Sequence, residues 1–509
     1  MKKNNLFKNI FLSINLFFSF IVIFLIFLLI WAKANYGLVS MDELIFHIQV
    51  PLKGTDSNLI LSVILKCLLP TILVFITLLF YIFYKFNKKT ILTIEIFKIN
   101  INTDFKNLFK KCLIFINICL LLVIFLNANE EFGIIEYIKA QNSNSNFIEE
   151  NYVDSKNIKL EFPETKRNLI YIYLESMENT YSNYDNGGIQ HDNYISELDE
   201  LAKNNINFSN NDNIGGALHL VGTAWTIGAM VAQTSGIGLS IPIECNSYDS
   251  YDSFLPGAYS LGDILNKNGY TQMLMVGSEA TFAGRASYFK NHGDYIIKDY
   301  NTAKKDKIIE KDHSVFWGME DSYLIKYAKK ELTNLSKSDK PFNFTMLTVN
   351  THGPNGNLED SCDKTYSDYY ANTIACSSKQ ISNFINWIKE QDFYNNTTII
   401  IAGDHLTMAT TDIVKSDNNY TRTTFNTIIN SPIEAANSQN RLFSNIDMFP
   451  TTLASLGVKI DGNKLALGIN LFSNEKTIIE EYGYEKVNNE LSKKSNFYNS
   501  NFLYYKDSK

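Results

Sequence analysis

Side chains able to bind a divalent metal ion occur shortly after three short apolar segments of the chain. They are Glu175 after 168–174, His352 after 342–349, and Asp404 with His405 after 397–403. Carboxylate oxygens and imidazole nitrogens are usual ligands of Zn²⁺ and Mn²⁺ in proteins. If the segments are strands of one open α/β sheet, these residues meet at its carboxyl edge, where such sheets bind ligands. Their types and positions predict a metal site.

None of these residues is specific by itself. A lone Asp404-His405 pair is compatible with a turn or a helix cap, and a lone Glu175 with a carboxylate at a helix N-terminus. The chain contains a second such pair, Asp312-His313, in the charged segment KIIEKDHS with no apolar run before it. We interpret that pair as part of a solvated loop. The metal-site prediction therefore depends on the whole group at matching positions.

A metal site that acts on an electrophile requires a nucleophile, and two threonines are candidates. Thr223 and Thr226 lie in GTAWTIGAMVAQTSGIGL (222–239), just before a run that resembles a helix. A divalent cation and a helix N-terminus both stabilise an alkoxide, and without such aids threonine is a poor nucleophile. On spacing alone, a helix N-cap threonine is the simpler interpretation. That alternative stays open at this point.

The elements that position these residues are indicated by short apolar runs separated by helical or glycine-containing segments. The runs are NLIYIYL (168–174), TQMLMVG (271–277), FNFTMLTV (342–349), TTIIIAG (397–403) and TFNTIIN (424–430). Because they are short, apolar on both faces and rich in β-branched and aromatic residues, they predict strands buried in a parallel sheet. An amphipathic helix is predicted over 367–390. Strands alternating with helices indicate the α/β class.

Three apolar segments near the start of the chain have the character of membrane spans. Residues 11–31 carry no charge, 58–84 is interrupted only by Lys66 and Pro70, and 112–128 is shorter but uncharged. About 20 apolar residues cross the bilayer core as a helix. The first run is too long for a cleaved signal peptide. We predict a transmembrane region over 1–130 with about three spans.

The distribution of lysines predicts the orientation of these spans. Three lysines precede the first span and seven lie between 85 and 111, whereas 32–57 contains only two. Loops rich in lysine and arginine stay in the cytoplasm. The N-terminus and the second loop are therefore expected inside, and everything after residue 130 outside.

Length and composition agree with a multidomain protein. The chain has 509 residues, of which 45% are hydrophobic and 19% charged, and its net charge of −7 with no strongly basic domain argues against nucleic acid as a partner. After the spans we predict a linker near the membrane over 131–166, an exterior catalytic domain over 167–475 and a polar tail over 476–509.

Cysteine positions fit this division. Of the six cysteines, three lie in the predicted spans and three, Cys245, Cys362 and Cys376, lie in the exterior part. Disulfides persist outside the cytoplasm. We expect a disulfide between Cys362 and Cys376, which would close a short loop. Free thiols are the alternative.

Seven motifs, taken in order along the exterior part, resemble a known family. They are NLIYIYLES, GTAWTIGAMVAQTSGI, FAGRASYFKNHGDY, WGMEDSYL, TVNTHGP, AGDHLTM and NIDMFPTTLASLGV. This set is similar to the sulfatase-like phosphoglycerol transferases of the alkaline phosphatase superfamily, especially those that decorate periplasmic glucans. Lipoteichoic acid synthases are more distant relatives. The resemblance covers about 167–472 and implies a mixed, mostly parallel sheet flanked by helices.

The resemblance also implies roles for individual residues. It makes Glu175, Thr226, Asp404 and His405 the ligands of one metal ion, with Mn²⁺ expected first and Zn²⁺ or Mg²⁺ as alternatives, and it makes Thr226 the nucleophile. His352 corresponds to a histidine on the substrate side. Thr223 remains a competitor for the nucleophile, and we prefer Thr226 because the run after it aligns better.

The head-group site departs from the pattern of the lipoteichoic acid synthases. Arg285 stands where the family places a cationic residue against the phosphoglycerol group. Those synthases have a tryptophan two residues earlier and a histidine further upstream, whereas this chain has Ala283 and either Val276 or Gly277. The pocket is therefore not a copy of theirs.

The activity implied is transfer of phosphoglycerol from phosphatidylglycerol to a glycan through a phosphothreonine ester, at the bacterial inner membrane. A phosphoethanolamine transferase is the main alternative, but it would be expected to prefer an acidic pocket for its ammonium group, whereas Arg285 favours glycerol beside phosphate. A true sulfatase is disfavoured because no Cys-x-Pro-x-Arg-type motif occurs. A non-catalytic binding or sensor ectodomain is the third alternative.

Overall fold

The computed structural model describes residues 2–37, 39–49, 57–84, 91–96, 99–240, 254–415 and 420–505. The chain divides into two compact units. The first comprises 1–37 and 56–135, and the second comprises 38–55 and 136–509. The second contains the segment that the sequence predicts to lie outside the cytoplasm, and for that reason it is called the exterior unit below. Cys245 lies outside the described residues.

Helices dominate the part of the chain before residue 133. In chain order the elements are α1 (Lys2–Asn35), α2 (Met41–Gln49), α3 (Ser57–Val63), α4 (Leu69–Phe83), an antiparallel hairpin of β1 (Ile91–Ile96) and β2 (Ile99–Asp104), and α5 (Phe105–Phe132). A π-helical segment, Ile64–Leu68, joins α3 to α4. Among the described residues, three stretches are long and apolar enough to cross a membrane, namely Asn9–Asn35, Leu59–Phe83 and Leu108–Phe132. They coincide with the three apolar segments of the sequence.

The helices that follow surround a central sheet. They are α6 (Ile134–Gln141), α7 (Phe147–Asn151), α8 (Ser196–Lys203), α9 (Thr226–Ser235), α10 (Leu261–Lys267), α11 (Arg285–Asn291), α12 (Tyr300–Lys305), α13 (Asp321–Leu335), α14 (Tyr369–Lys389), α15 (Met448–Ser455), α16 (Ile478–Tyr482), α17 (Tyr484–Leu491) and α18 (Asn496–Tyr498). Helix α14 matches the amphipathic helix expected over 367–390, and its apolar stripe is buried.

The central sheet has six strands in the order β6-β5-β7-β4-β8-β9. They are β4 (Asn168–Leu174), β5 (Thr271–Val276), β6 (Ile296–Lys298), β7 (Phe342–Leu347), β8 (Thr397–Gly403) and β9 (Asn426–Ile429). All neighbours are parallel except β8 and β9. The sheet is therefore mixed and mostly parallel. The remaining strands, β3 (Leu160–Glu161), β10 (Lys459–Ile460), β11 (Lys464–Leu465) and β12 (Gly468–Ile469), form two small antiparallel pairs.

Two hydrophobic cores cover the two faces of this sheet. Side chains alternate along β4, so that Leu169 and Tyr171 enter one core and Ile170 and Ile172 the other. Every residue of β4 and β8 is buried. A strand covered on both faces needs apolar residues at successive positions, which explains the uninterrupted apolar runs of the sequence.

The boundaries of the exterior unit are wider than those of the predicted catalytic domain. The segment expected as a linker contributes α7, and the segment expected as a polar tail forms α16 to α18. Val487, Tyr498 and Phe502 of that last segment are buried in the larger core. The apolar residues of this segment are spaced so that they lie on one face of each helix, which explains the packing. Many asparagines and lysines between them give the segment a polar composition.

Candidate active site

Residues at the carboxyl edge of the sheet form the candidate site. Glu175 directly follows β4 and Asp404 directly follows β8, and these strands are parallel neighbours with Leu174 opposite Gly403. His352 lies in the loop after β7, the neighbour of β4 on its other side. The parallel register thus delivers side chains from three loops to one place.

The structure brings Glu175, Asp404 and His405 together as a buried cluster. Their ligand atoms all lie within 4.8 Å of one another. His405 Nε2 is 3.3 Å from Glu175 Oε1 and 3.5 Å from Asp404 Oδ2. Each of the three is at most 1% exposed to solvent. Buried charges are costly unless paired or bound to a metal, so this arrangement fits a cation site.

Hydrogen bonds orient the cluster as a metal site requires. Asp404 Oδ1 accepts the backbone N–H groups of Ser176 and His405, both at 2.8 Å. Asp404 Oδ2 is buried and has no hydrogen-bond partner among the described residues. His405 Nδ1 lies 2.8 Å from the carbonyl of Leu406, which favours a proton on that nitrogen and leaves Nε2 for a ligand. The donor set and the unpartnered oxygen therefore suit one divalent cation.

The electrostatics of the cluster favour a positive charge beside the two carboxylates. Burial and the negative charge of Glu175 raise the pKa of Asp404. Burial lowers the pKa of His405, but the charges of Asp404 and Glu175 outweigh this effect and raise it. A proton on His405 thus balances the two carboxylates. Ser176, directly after Glu175, has a φ of 53°, which is a strained backbone conformation for a residue with a side chain.

Thr226 is the first residue of α9, and its hydroxyl faces the cluster. Its Oγ1 lies 3.4 Å from both Glu175 Oε2 and His405 Nε2. The N-cap of α9 is Trp225, with no side-chain capping hydrogen bond, so the helix-cap interpretation does not describe Thr226. Thr223 is fully buried, and its Oγ1 exchanges hydrogen bonds with the backbone of Leu220. The structure thus brings Thr226, and not Thr223, to the acidic cluster.

Arg285 and His352 both lie close to the aromatic residue Trp317. The ring of His352 is 4.1 Å from that of Trp317, and the Arg285 guanidinium is 5.4 Å from the same indole. Arg285 donates to Ser278 Oγ at 2.9 Å and to the carbonyl of Glu279 at 2.8 Å. Its Nη1 is buried without a hydrogen-bond partner among the described residues. An unpaired buried cationic donor is a suitable contact for a phosphate or a hydroxyl.

Burial is the main influence on the pKa values of both Arg285 and His352. Burial lowers the pKa of Arg285 to about 10, while Glu175, Asp299 and Asp404 oppose this effect. Arg285 therefore remains charged at neutral pH. Burial also lowers the pKa of His352, against the effect of Glu175. A neutral imidazole is consequently favoured at His352 when no anion lies beside it.

One buried ion pair and one buried carboxyl group hold the loops of the site. Arg422 forms a bidentate pair with Glu178, and Glu178 also accepts the backbone N–H of Thr407 at 3.0 Å. This pair ties the loop after β4 to the loop after β8. Asp321 accepts the N–H groups of Val349, at 2.8 Å, and Asn350, at 3.2 Å, and so fixes the loop that carries His352.

Sequence reasoning missed two residues of this region. Trp317 begins the motif WGMEDSYL, but its role beside Arg285 and His352 depends on contacts that no local pattern encodes. His219 is a partly buried histidine whose Nε2 atom is buried and has no hydrogen-bond partner among the described residues. Burial lowers its pKa to about 3, and the positive charge of His405 acts in the same direction. The segment before Thr226 could have been searched for such a histidine.

Two other expectations concern residues away from the cluster. His313 was expected in a solvated loop, but its side chain is only 15% exposed and its Nε2 lies 2.7 Å from Glu320 Oε2, because the loop folds back on the start of α13. Cys362 and Cys376 form a disulfide with sulfur atoms 2.00 Å apart. It links the loop after β7 to α14.

The family model for sulfatases matches residues 167–458, which include every residue of the cluster. The chain belongs to the sulfatase family. In this sulfatase-family chain, Thr226 stands beside the acidic cluster, and no Cys-x-Pro-x-Arg-type motif occurs in the sequence.

Relatives of this sulfatase-family chain include phosphoglycerol transferase I of Salmonella typhi. It is 35% identical over 258 residues, which are 49% of this chain and 32% of that relative. The protein of the same name from Salmonella paratyphi B gives the same identity and coverage. The match thus spans about a third of the length of these relatives.

Solved structures of other proteins are also similar to this chain, with TM-scores just below 0.5. The lipoteichoic acid synthase LtaP from Listeria monocytogenes has 19% identity and a TM-score of 0.48, over 64% of this chain and 80% of its own. The lipooligosaccharide phosphoethanolamine transferase EptA from Neisseria meningitidis has 12% identity and a TM-score of 0.48, over 86% of this chain and 83% of its own.

Proposed function

We propose that this protein transfers a phosphoglycerol group from phosphatidylglycerol to a surface or periplasmic glycan, through a covalent ester on Thr226. The observation that carries the proposal is the distance of 3.4 Å from Thr226 Oγ1 to both Glu175 Oε2 and His405 Nε2. The hydroxyl also lies at the N-terminus of α9, where the helix dipole favours a negatively charged oxygen. The 35% identity to phosphoglycerol transferase I supports the choice of transferred group.

The residues that would hold a metal ion are Glu175, Asp404 and His405, together with Thr226. Mn²⁺ is our first expectation, with Zn²⁺ and Mg²⁺ as alternatives. A divalent cation bound there would supply positive charge that favours deprotonation of a hydroxyl and offsets charge on phosphoryl oxygens.

The first half of the reaction forms the ester. Thr226 Oγ1 loses its proton and attacks the phosphorus of phosphatidylglycerol, and the bond from phosphorus to the diacylglycerol oxygen breaks. His352 lies on the substrate side and is our candidate for giving a proton to that oxygen or for stabilising the equatorial oxygens. Diacylglycerol then leaves as a neutral alcohol.

The second half of the reaction releases the ester. A hydroxyl group of the acceptor glycan loses its proton and attacks the same phosphorus. The bond from phosphorus to Thr226 Oγ1 breaks, and Thr226 takes up a proton. Arg285 is our candidate for binding the phosphoglycerol group in both halves, which its buried Nη1, without a partner among the described residues, supports.

Membrane anchoring would place the enzyme beside its donor. Three helices among the described residues could span a bilayer, and the lysine distribution favours an exterior unit outside the cytoplasm. We propose a multi-pass protein of the bacterial inner membrane. Because the donor lipid is in the same bilayer, tethering raises its effective concentration at the site.

The experiment that tests this function compares two labelled donors. Purified full-length protein is incubated with Mn²⁺ and either phosphatidylglycerol or phosphatidylethanolamine, and release of diacylglycerol is measured. We expect release from phosphatidylglycerol. Release from phosphatidylethanolamine alone would assign the phosphoethanolamine activity instead, and release from neither would favour a non-catalytic ectodomain.

A further inference from the structure

Helix α2 lies in the loop between the first two apolar helices of the chain, yet it belongs to the exterior unit. Phe46 of this helix is 1% exposed and is part of the larger core of that unit. Its ring lies 5.6 Å from that of Trp225, the residue directly before Thr226. Helix α2 therefore packs against the start of α9, although it lies in a loop between two apolar helices.

The same helix reaches the Arg285 side of the site. The His47 ring stacks on that of Phe282 with 6.2 Å between centroids and 26° between planes. Phe282 in turn lies 5.6 Å from the Arg285 guanidinium. Phe46 and His47 are adjacent, so one turn of α2 contacts both the nucleophile side and the cationic side of the site.

Glu43 is located one helical turn before His47. Its side chain is almost fully buried, Oε1 lies 3.8 Å from His47 Nε2, and Oε2 has no hydrogen-bond partner among the described residues. Ser40 and Glu43 have the spacing of a capping box, and the Glu43 amide donates to Ser40 Oγ at 3.2 Å. Capping occupies one carboxyl oxygen and leaves Oε2 unexplained, although buried polar atoms normally find partners.

Burial is the main influence on the charge of this carboxyl group. Burial raises the pKa of Glu43 to about 8, while the charge of His405 and the backbone of Ser40 oppose this effect. The carboxyl group is therefore largely neutral near pH 7. A neutral carboxyl both donates and accepts hydrogen bonds, which suits hydroxyl groups, whereas a charged carboxylate would suit an ammonium group better.

We propose that α2 forms a wall of the substrate site and that Glu43, with His47, hydrogen-bonds the hydroxyl groups of the glycerol being transferred. The inference rests on the proposed function and adds to it a residue, Glu43, that recognises the head group of the donor lipid. It assigns this role to the loop between two apolar helices, outside the segment that the sulfatase family model matches.

The test compares two donors with the full-length protein in the absence of acceptor. Phosphatidylpropanol has the carbon skeleton of the phosphatidylglycerol head group without its hydroxyls. In a single turnover the wild-type protein should release diacylglycerol about tenfold faster from phosphatidylglycerol than from phosphatidylpropanol, the effect expected for one or two hydrogen bonds. In Glu43→Ala this ratio should fall to about twofold, because the hydroxyls have lost their partner.

Further variants separate binding from stability. Glu43→Gln should keep most of the ratio, since an amide also donates and accepts. His47→Ala changes an exposed side chain and should lower the ratio even if Glu43→Ala does not fold. Ser40→Ala removes the helix cap alone, and Asp42→Asn removes the neighbouring acid; both should keep the wild-type ratio.

Several results would overturn the inference. Equal ratios in the wild type, Glu43→Ala and His47→Ala would remove α2 from the head-group site. A Glu43→Gln variant as poor as Glu43→Ala, with the wild type preferring phosphatidylethanolamine, would assign Glu43 to an ammonium group. An effect seen only after an acceptor is added would assign it to the acceptor. A wild-type protein inactive on every donor would instead contradict the proposed function itself.

Discussion

Thr226 Oγ1 lies 3.4 Å from His405 Nε2, although the two residues are 179 positions apart in the chain. The contact exists because α9 begins at Thr226 and because β8 ends directly before Asp404 and His405, at the carboxyl edge of the sheet. Glu175 completes the arrangement from the neighbouring strand β4. The chemistry we propose depends on this contact between the N-terminus of α9 and the carboxyl ends of β4 and β8.

Replacing the two threonines should have opposite effects on activity and stability. Thr226→Ala should abolish diacylglycerol release while keeping the fold and much of the metal affinity, because Glu175, Asp404 and His405 remain, and Thr226→Ser should retain part of the activity. Thr223→Ala should keep activity but lower the free energy of unfolding by about 1 kcal/mol, the usual contribution of a buried hydrogen bond. Denaturant unfolding and a donor assay would check both. An inactive, stable Thr223→Ala would contradict our choice of nucleophile.

Activity should depend reversibly on a divalent metal ion. Chelation should abolish turnover, and Mn²⁺ should restore it. Asp404→Asn should lose metal as well as activity, since it removes a charge from a cluster in which Asp404 Oδ2 has no hydrogen-bond partner among the described residues. Metal content per protein is the measurement. Asp312→Asn, in the other Asp-His pair, is the matched control and should bind metal normally. Full turnover of metal-free protein would refute the site.

Breaking the buried pair of Arg422 and Glu178 should destabilise the exterior unit. The Glu178 side chain is fully buried and that of Arg422 is 12% exposed, so Arg422→Met should cost about 3 kcal/mol or more of unfolding free energy. Activity should fall too, because Glu178 also holds the amide of Thr407, two residues after His405. Lys415→Met, at the exposed pair with Asp412, should change neither. An unchanged melting temperature in Arg422→Met would argue against the structural role.

The orientation of the apolar helices can be tested with fusions. A reporter that is active only outside the cytoplasm should work when fused after residue 160 and fail when fused near residue 95. This result follows from the lysines between 85 and 111. The reverse pattern would separate the enzyme from its acceptor and overturn the proposed localisation.

Much of the fold could be predicted because it depends on local patterns. The uninterrupted apolar runs that became β4 and β8 reflect burial on both faces, and the stripe of α14 reflects burial on one. Strand β6 was missed because three residues, of which Ile296 is exposed, carry no periodic signal. The antiparallel direction of β9 was also absent from the pattern, since strand direction depends on the connection and not on composition.

The site was only partly predictable for a related reason. Glu175, Asp404 and His405 follow strands, so their positions in the sequence indicate their meeting at one edge. Helix α2 reaches the same region through tertiary packing, of Phe46 on Trp225 and of His47 on Phe282. Contacts of this kind link distant parts of the chain and leave no local signal. The segment MDELIFHIQ alone has the pattern of an ordinary short amphipathic helix.

The central claim is the covalent ester on Thr226, and mass spectrometry tests it most directly. Metal-loaded protein is incubated with phosphatidylglycerol and no acceptor, then digested and analysed. We predict a phosphoglycerol adduct on the peptide that contains Thr226, absent from the Thr226→Ala variant and lost when acceptor is added. An adduct on Thr223, or turnover of phosphatidylglycerol with no adduct on any residue, would contradict the account.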